Sequence, residues 1–193
     1  DLRRQLLADD QPPSAQLLNR LKHDPRRGAR ALHATIEQRH LHNRDERLRL
    51  DAMLNFERVL WKSGVHTIAG VDEVGVGPLA GPVVAAAVVF APDVQIDGVD
   101  DSKRLTPKRR TELATTIHAH ALAVSIGEAT VAEIDALNIY HAALLAMRRA
   151  VEGLPVTPQH VLVDARTIPG ISIPQKAVIG GDRKSAAIAA ASI

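Results

Sequence analysis

Apolar and polar positions follow two different rhythms along this chain. Over residues 1–66 the apolar positions recur at spacings of three and four, the signature of helices with one buried stripe. Ser14 stands before Leu17, Leu18 and Leu21 and predicts a helix that it caps. Gly28 to His42 carries Leu32, Ile36 and Leu41 on one side and predicts a second. Leu50, Met53, Leu54, Glu57 and Trp61 predict a third, closed by Ser63-Gly64. From residue 67 the rhythm changes. Thr67 to Asp72 and Val83 to Phe90 are short apolar runs, read as strands joined by a loop of glycines and prolines. Pro107 to Ala121 predicts a helix, with Thr106 as cap and Pro107 in its first position. Leu122 to Ala129 predicts a third strand, and Val131 to Val151 one long amphipathic helix. Val161 to Asp164 and Lys176 to Ile179 predict two more strands, and Ser185 to Ile193 a final helix.

A hairpin followed by alternating helices and strands predicts an α/β fold, a mixed β-sheet flanked by helices. A helical amino-terminal extension, residues 1–66, is expected to precede a sheet domain, residues 67–193. No internal repeat interrupts this order.

Composition narrows the picture. With 193 residues, 46% of them apolar, the chain can bury a real core. Cysteine is absent, which excludes disulfides and thiolate metal sites and fits a reducing compartment. The opening DLRRQLLADDQPP lacks the shape of a signal peptide, and the apolar stretch from Pro78 to Pro92 is too short and broken to span a bilayer. A cytoplasmic protein without membrane attachment is expected. The chain does not start with Met and stops inside an alanine-rich run, so a fragment is expected. The aromatic residues are Phe56, Phe90, Trp61 and Tyr140, too few for a base-stacking platform. Residues 1–66 hold thirteen Lys/Arg against nine Asp/Glu, whereas residues 67–193 hold eleven against thirteen. A basic front half beside an acidic half suits a polyanion held near a cation site, and it equally suits a solvated helical surface.

The candidate chemistry lies in acids at strand ends: Val71-Asp72-Glu73, Val163-Asp164 and Ile179-Gly180-Gly181-Asp182. In open α/β sheets functional groups collect at the carboxyl ends of strands. Carboxylates from separate strands can hold two hard divalent cations, roughly 3.5–4 Å apart, which stabilise the attacking and leaving oxygens of a phosphoryl displacement. Without cations such a cluster repels itself. Each acid taken alone is as well explained by a helix cap or a surface position; the repetition points to a site. Neighbouring strand residues face opposite ways, so Asp72 and Glu73 share a site only if the backbone turns there, as Gly75 and Gly77 allow. The loop from Gly75 to Gly81 lets backbone N–H groups approach a phosphate or sugar, though no Gly-Lys-Ser/Thr makes it a P-loop. Lys103 and Lys184 are candidate phosphate contacts, or plain surface lysines. The nine histidines form no metal-binding pattern.

Five segments in order, GVDEVGVGPLAGPVVAAAVV, DSKRLTPKRR, EIDALNIYHAALLAMRRAV, VLVDA and GGDRKSAAIAAASI, resemble ribonuclease HII of the ribonuclease H superfamily. The resemblance covers about residues 45–193, and the helix ending at Trp61 is similar to the extension some bacterial members carry. It implies an endonuclease that cuts the RNA strand of RNA–DNA hybrids and cuts at ribonucleotides embedded in duplex DNA. It implies a two-metal site for Mn²⁺ or Mg²⁺, 5′-phosphate and 3′-hydroxyl ends, and a protein expected to act as a monomer. The catalytic acids it implies are Asp72, Glu73, Asp164 and Asp182, with Asp72, Glu73 and Asp164 as metal ligands. Asp182 would serve the second metal or position water and leaving group. It implies substrate binding by Gly75, Val76 and Gly77, beside which Lys103 and Lys184 stand as the candidate phosphate contacts already read from the residues. Three features depart from the family. Val76 stands where Arg is usual, removing a charged donor whose loss costs about 1.5–3 kcal/mol. Ala165 stands where Gly is usual, and the family continues beyond the position of Ile193. A non-catalytic hybrid-binding relative and another two-metal phosphoryl-transfer enzyme are the alternatives.

Overall fold

The computed structural model describes residues 13–77 and 80–193. The opening segment read for a signal peptide, residues 1–12, lies outside the described residues, as do Pro78 and Leu79 of the glycine loop. Two compact units divide between Arg49 and Leu50.

The first unit is helical. Helix α1 (Ala15–His23) is capped by Ser14, whose Oγ accepts from the N–H of Leu17 at 3.3 Å. Its Leu21 is buried. Helix α2 (Arg27–Met53) is one uninterrupted run of 27 residues that crosses the division between the units, with Ile36 and His33 buried along it. The third helix read from sequence is therefore two elements. Leu50 and Met53 finish α2, Leu54 breaks the helix at φ −91°, ψ 4°, and α3 (Asn55–Lys62) follows. Arg58 bridges the break by donating to the Asp51 carbonyl at 2.9 Å and pairing with the Asp51 carboxylate. Periodicity did not reveal this break because one displaced residue keeps the same side chains facing the core.

The second unit holds a mixed sheet with strand order β3-β2-β1-β4-β5: β1 (Ile68–Val74), β2 (Val83–Phe90), β3 (Ala121–Ala129), β4 (His160–Asp164) and β5 (Gln175–Val178). Strand β1 pairs antiparallel with β2 and parallel with β4; β2 and β3 are antiparallel, and β4 and β5 parallel. Helix α4 (Pro107–His120) leads into β3. The crossover from β3 to β4 was expected as one helix over Val131–Val151. It is α5 (Val131–Leu137) followed by α6 (Ile139–Glu152), parted by Asn138 at φ 72°. Asn138 Oδ1 accepts from the N–H groups of Tyr140 and His141 at 3.1 and 3.2 Å, so a side-chain cap replaces helix continuity. Helix α7 (Ala186–Ser192) closes the described fold.

Helices cover both faces of the sheet. The alanine-rich face of α6, with Met147, packs on Ala69, Val71, Ala85 and Ala87. On the other face Val88 and Phe90 meet Leu113 and Ile117 of α4, Ala189 and Ala190 of α7, and Leu50, Met53 and Leu54. Gly70 makes the second contact possible. A Cβ there would lie 2.1 Å from the carbonyl carbon of Ala187, so α7 rests directly on the β1 backbone.

Candidate functional site

Strand β1 does not end at its acids, as the sequence reading had it. It runs to Val74, with Asp72 opposite Ala86 and Glu73 opposite Ala85. The pleat therefore sends the two carboxylates to opposite faces, and the chain turns only after Val74. Gly75 makes that turn at φ 98°, with no room for a Cβ, which would meet the Pro82 carbonyl oxygen at 2.6 Å. What joins the two acids is the edge of the sheet. Pairing of β1 with β4 stops at Val71 and Val163, so beyond that point the β4 side of β1 is open. Both side chains come within electrostatic reach of Asp164 across this opening.

Asp164 is the last residue of β4. One oxygen accepts from the Gly181 N–H at 2.7 Å, which ties the strand end to the 3₁₀ turn Gly181–Arg183. That turn presents Asp182, 8% exposed, with Oδ1 buried and lacking a hydrogen-bond partner. The electrostatics record the crowding. Burial, then repulsion by Glu73, Asp164 and Asp182, pushes the Asp72 carboxyl up to about 7, against one opposing bond from the Glu73 N–H at 2.8 Å. Burial raises Glu73 too, countered by Arg166 and Lys103 and reinforced by Asp164. Asp182 is raised by burial and by its neighbours Asp101 and Asp164.

Asp72, Glu73, Asp164 and Asp182 thus come together. Lys103 joins them, its ammonium acting on Glu73 and Asp182. Lys184 points elsewhere, donating to the Ile179 carbonyl at 2.8 Å. Gly75 and Gly77 flank Val76, whose side chain packs partly against the apolar cluster under α6 rather than reaching outward. Ala165 adopts φ 51°, a left-handed conformation that disfavours any side chain.

Two residues escaped the sequence reading. Arg166 lies 3.4 Å from Glu73 and 5.2 Å from the centre of the Tyr140 ring, and its Nη1 is buried without a partner. Its signal was adjacency to the Asp164-Ala165 strand end. Asp101, 8% exposed, caps the 3₁₀ turn Ser102–Arg104 by accepting from the Lys103 N–H at 2.9 Å. Arg183 Nε lies 3.9 Å from Asp101 and 4.0 Å from Asp182, linking the two. Asp101 stands in a local turn motif, and only the fold shows that it meets Asp182.

Among the described residues no group of three or more His, Asp or Glu side chains is arranged to hold a metal ion as it stands. The donor set still fits a hard divalent cation. It consists of carboxylate oxygens, one of them buried and unpartnered, and burial disfavours the charge of Asp72, Glu73 and Asp182. No helix among the described residues is long and apolar enough to cross a membrane.

Comparison with known proteins identifies the family. Residues 69–193 match the family described as Ribonuclease HII, and residues 2–61 match the Ribonuclease HII N-terminal domain. The chain is 54% identical over 183 residues to the ribonuclease HII of Myxococcus xanthus, covering 94% of this chain and 62% of that one. It is 53% identical over 148 residues to the ribonuclease HII of Moorella thermoacetica, covering 77% of this chain and 72% of that one. The fold is similar to that of the ribonuclease H2 from Pyrococcus horikoshii, with a TM-score of 0.56 and 28% identity over 65% of this chain and 68% of that one. A mixed sheet with helices on both faces, an acid cluster at one end of it and these matches lead to one conclusion: the chain belongs to the ribonuclease HII family.

Proposed function

We propose that this protein is an endonuclease that hydrolyses the RNA strand of RNA–DNA hybrids and cuts at ribonucleotides embedded in duplex DNA. The observation that carries the reading is the mutual crowding of Asp72, Glu73, Asp164 and Asp182, four acids from three separate segments of the sheet end. Asp72, Glu73 and Asp164 would hold divalent cations, Mn²⁺ or Mg²⁺, and Asp182 a second ion or the water and leaving group. Ions held there would activate a water and stabilise charge for in-line displacement at phosphorus. The chain's own residues do the rest. The β1 backbone fixes Asp72 and Glu73, the Gly181 N–H fixes Asp164, and Lys103 offers a cation for a phosphate. The backbone around Gly75 and Gly77 would lie along the sugar–phosphate of the ribonucleotide, leaving 5′-phosphate and 3′-hydroxyl ends. Residues 67–193 form the catalytic domain in this proposal, residues 1–66 an extension, and the protein acts as a cytoplasmic monomer.

A second reading, a hybrid-binding relative without turnover, is favoured by one observation. Val76 directs its side chain toward the core and offers no donor to a phosphate. Cleavage of one labelled duplex in three versions separates the readings: all DNA, one embedded ribonucleotide, and a full RNA strand. Each is run with Mn²⁺, Mg²⁺ or EDTA. Metal-dependent cutting of only the ribonucleotide-containing strands is expected. Binding without cutting in either metal would establish the second reading, and cutting of the all-DNA duplex would refute both.

A further inference from the structure

Glu57 lies on α3, before the sheet begins, yet it is 3% exposed. A carboxylate so deeply buried demands a partner. Its partners are 128 and 130 residues away in sequence. Ser185 Oγ donates to Glu57 Oε1 at 2.6 Å, and the Ala187 N–H donates to the same oxygen at 3.3 Å. Ser185 is fully buried and does double duty, since its Oγ also accepts from the Ile188 N–H at 3.3 Å and caps α7. On its amino-terminal side Ser185 is locked to the acid-bearing turn. The N–H groups of Lys184 and Ser185 donate to the Gly181 carbonyl at 2.9 and 2.8 Å, and Asp182 sits between.

The opposite side of α7's first turn is fixed by Gly70, where only a bare backbone fits against Ala187. Gly70 is two residues before Asp72. The first turn of α7 is thus held between β1, which carries Asp72 and Glu73, and Glu57. The turn bearing Asp182 hangs from it. The turn has two ties to the rest of the fold: the Gly181 N–H donates to Asp164 at 2.7 Å on the β4 side, and Ser185 joins it to Glu57 on the α7 side.

We propose that Glu57 is a positioning residue of the site: through Ser185 it fixes the turn that presents Asp182 toward Asp72. The proposal rests on the nuclease reading for what the site does, and on hydrogen-bond geometry alone for how the turn is held. It assigns a role in the chemistry to a helix that lies outside the sheet domain in sequence.

The test compares the full-length wild-type protein with Glu57→Gln, Glu57→Leu and Ser185→Ala. Separate kcat and KM values are measured on duplex DNA with one ribonucleotide, at a temperature where each protein is folded by circular dichroism. The Mn²⁺ concentration giving half of the full rise in Tm is measured in parallel. Glu57→Leu and Ser185→Ala are expected to lower kcat roughly 10- to 100-fold, with KM within about 3-fold, the loss expected when one buried charged hydrogen bond is removed. Their Mn²⁺ midpoint is expected to rise. Glu57→Gln keeps an acceptor for Ser185 and should restore most of kcat. A Glu57→Leu protein that melts earlier but keeps wild-type kcat and Mn²⁺ midpoint would overturn the proposal and leave Glu57 a packing residue. If Glu57→Leu does not fold, the Ser185→Ala protein decides. A Ser185→Ala protein with lowered kcat and a raised Mn²⁺ midpoint supports the proposal, and one with wild-type kcat and midpoint overturns it. Should the wild type bind Mn²⁺ but cut nothing, the nuclease reading fails, while the Mn²⁺ midpoints still decide the role of Glu57.

Discussion

Replacing Asp72 with Asn should stabilise the metal-free protein at pH 8, although it removes the central acid of the site. Burial and three neighbouring carboxylates push Asp72 from 3.8 up to about 7. An acid raised in the folded state holds its proton there after the unfolded chain has lost it, so stability falls as pH rises from about 4 to about 7. The full shift, at 1.36 kcal/mol per unit, corresponds to about 4 kcal/mol. Partial solvent access and coupling to the neighbouring acids reduce that to about 2 kcal/mol. Asn keeps an acceptor for the Glu73 N–H and carries no charge, so Asp72→Asn should raise Tm by about 4–8 °C at pH 8 in EDTA. At pH 4.5 only about a quarter of the gain should remain, because the unfolded chain is then partly protonated as well. Mn²⁺ should raise the Tm of the wild type and much less that of the variant, reversing their order. Calorimetric melts at the two pH values, with EDTA or Mn²⁺, supply every number. A lower Tm for Asp72→Asn at pH 8 in EDTA would refute the reasoning, because it would make Asp72 a structural hydrogen-bonding group rather than one strained by its neighbours.

Ala165 sits at φ 51°, where a Cβ costs about 1–2 kcal/mol and the extra flexibility of glycine returns part of it. Ala165→Gly should therefore stabilise by about 0.5–1 kcal/mol in urea unfolding with an unchanged m-value. Gly70→Ala should destabilise by about 3 kcal/mol or more, since its Cβ would lie 2.1 Å from the Ala187 backbone; a loss under about 1 kcal/mol would show that α7 can move away. Arg26 is exposed and paired with the Asp24 carboxylate at 2.7 Å, and Arg27 stands next to it. If the extension grips phosphates, reversing Arg26 and Arg27 together should cut the salt slope of duplex binding by about 1–2, and an unchanged slope would leave it a packing role.

The five strands were legible because each is a short apolar run bounded by turn residues, and that signal is local. So were the caps Ser14 and Thr106, where one hydroxyl meets an N–H three residues on. The acids were legible as residues, repeated beside apolar runs. The breaks at Leu54 and Asn138 were not, because helical periodicity survives a one-residue interruption and only packing decides which continuation buries more. The meeting of Asp72 with Glu73 was mispredicted in its means. A shared site was expected to need a turn there, which Gly75 and Gly77 allow, whereas the chain turns only after Val74 and the β4 pairing stops at Val71. Asp101 at Asp182 and Glu57 at Ser185 had no sequence signal, and Arg166 at Glu73 had only its place beside Asp164, since each pairs groups from different segments. Sequence by itself determined which side chains are apolar, which are charged and which turns are cheap, because those are short-range properties of the chain. Tertiary structure alone decided which charges face one another and how deeply they are buried, because electrostatic and desolvation energies depend on distances that only the packed sheet and helices define.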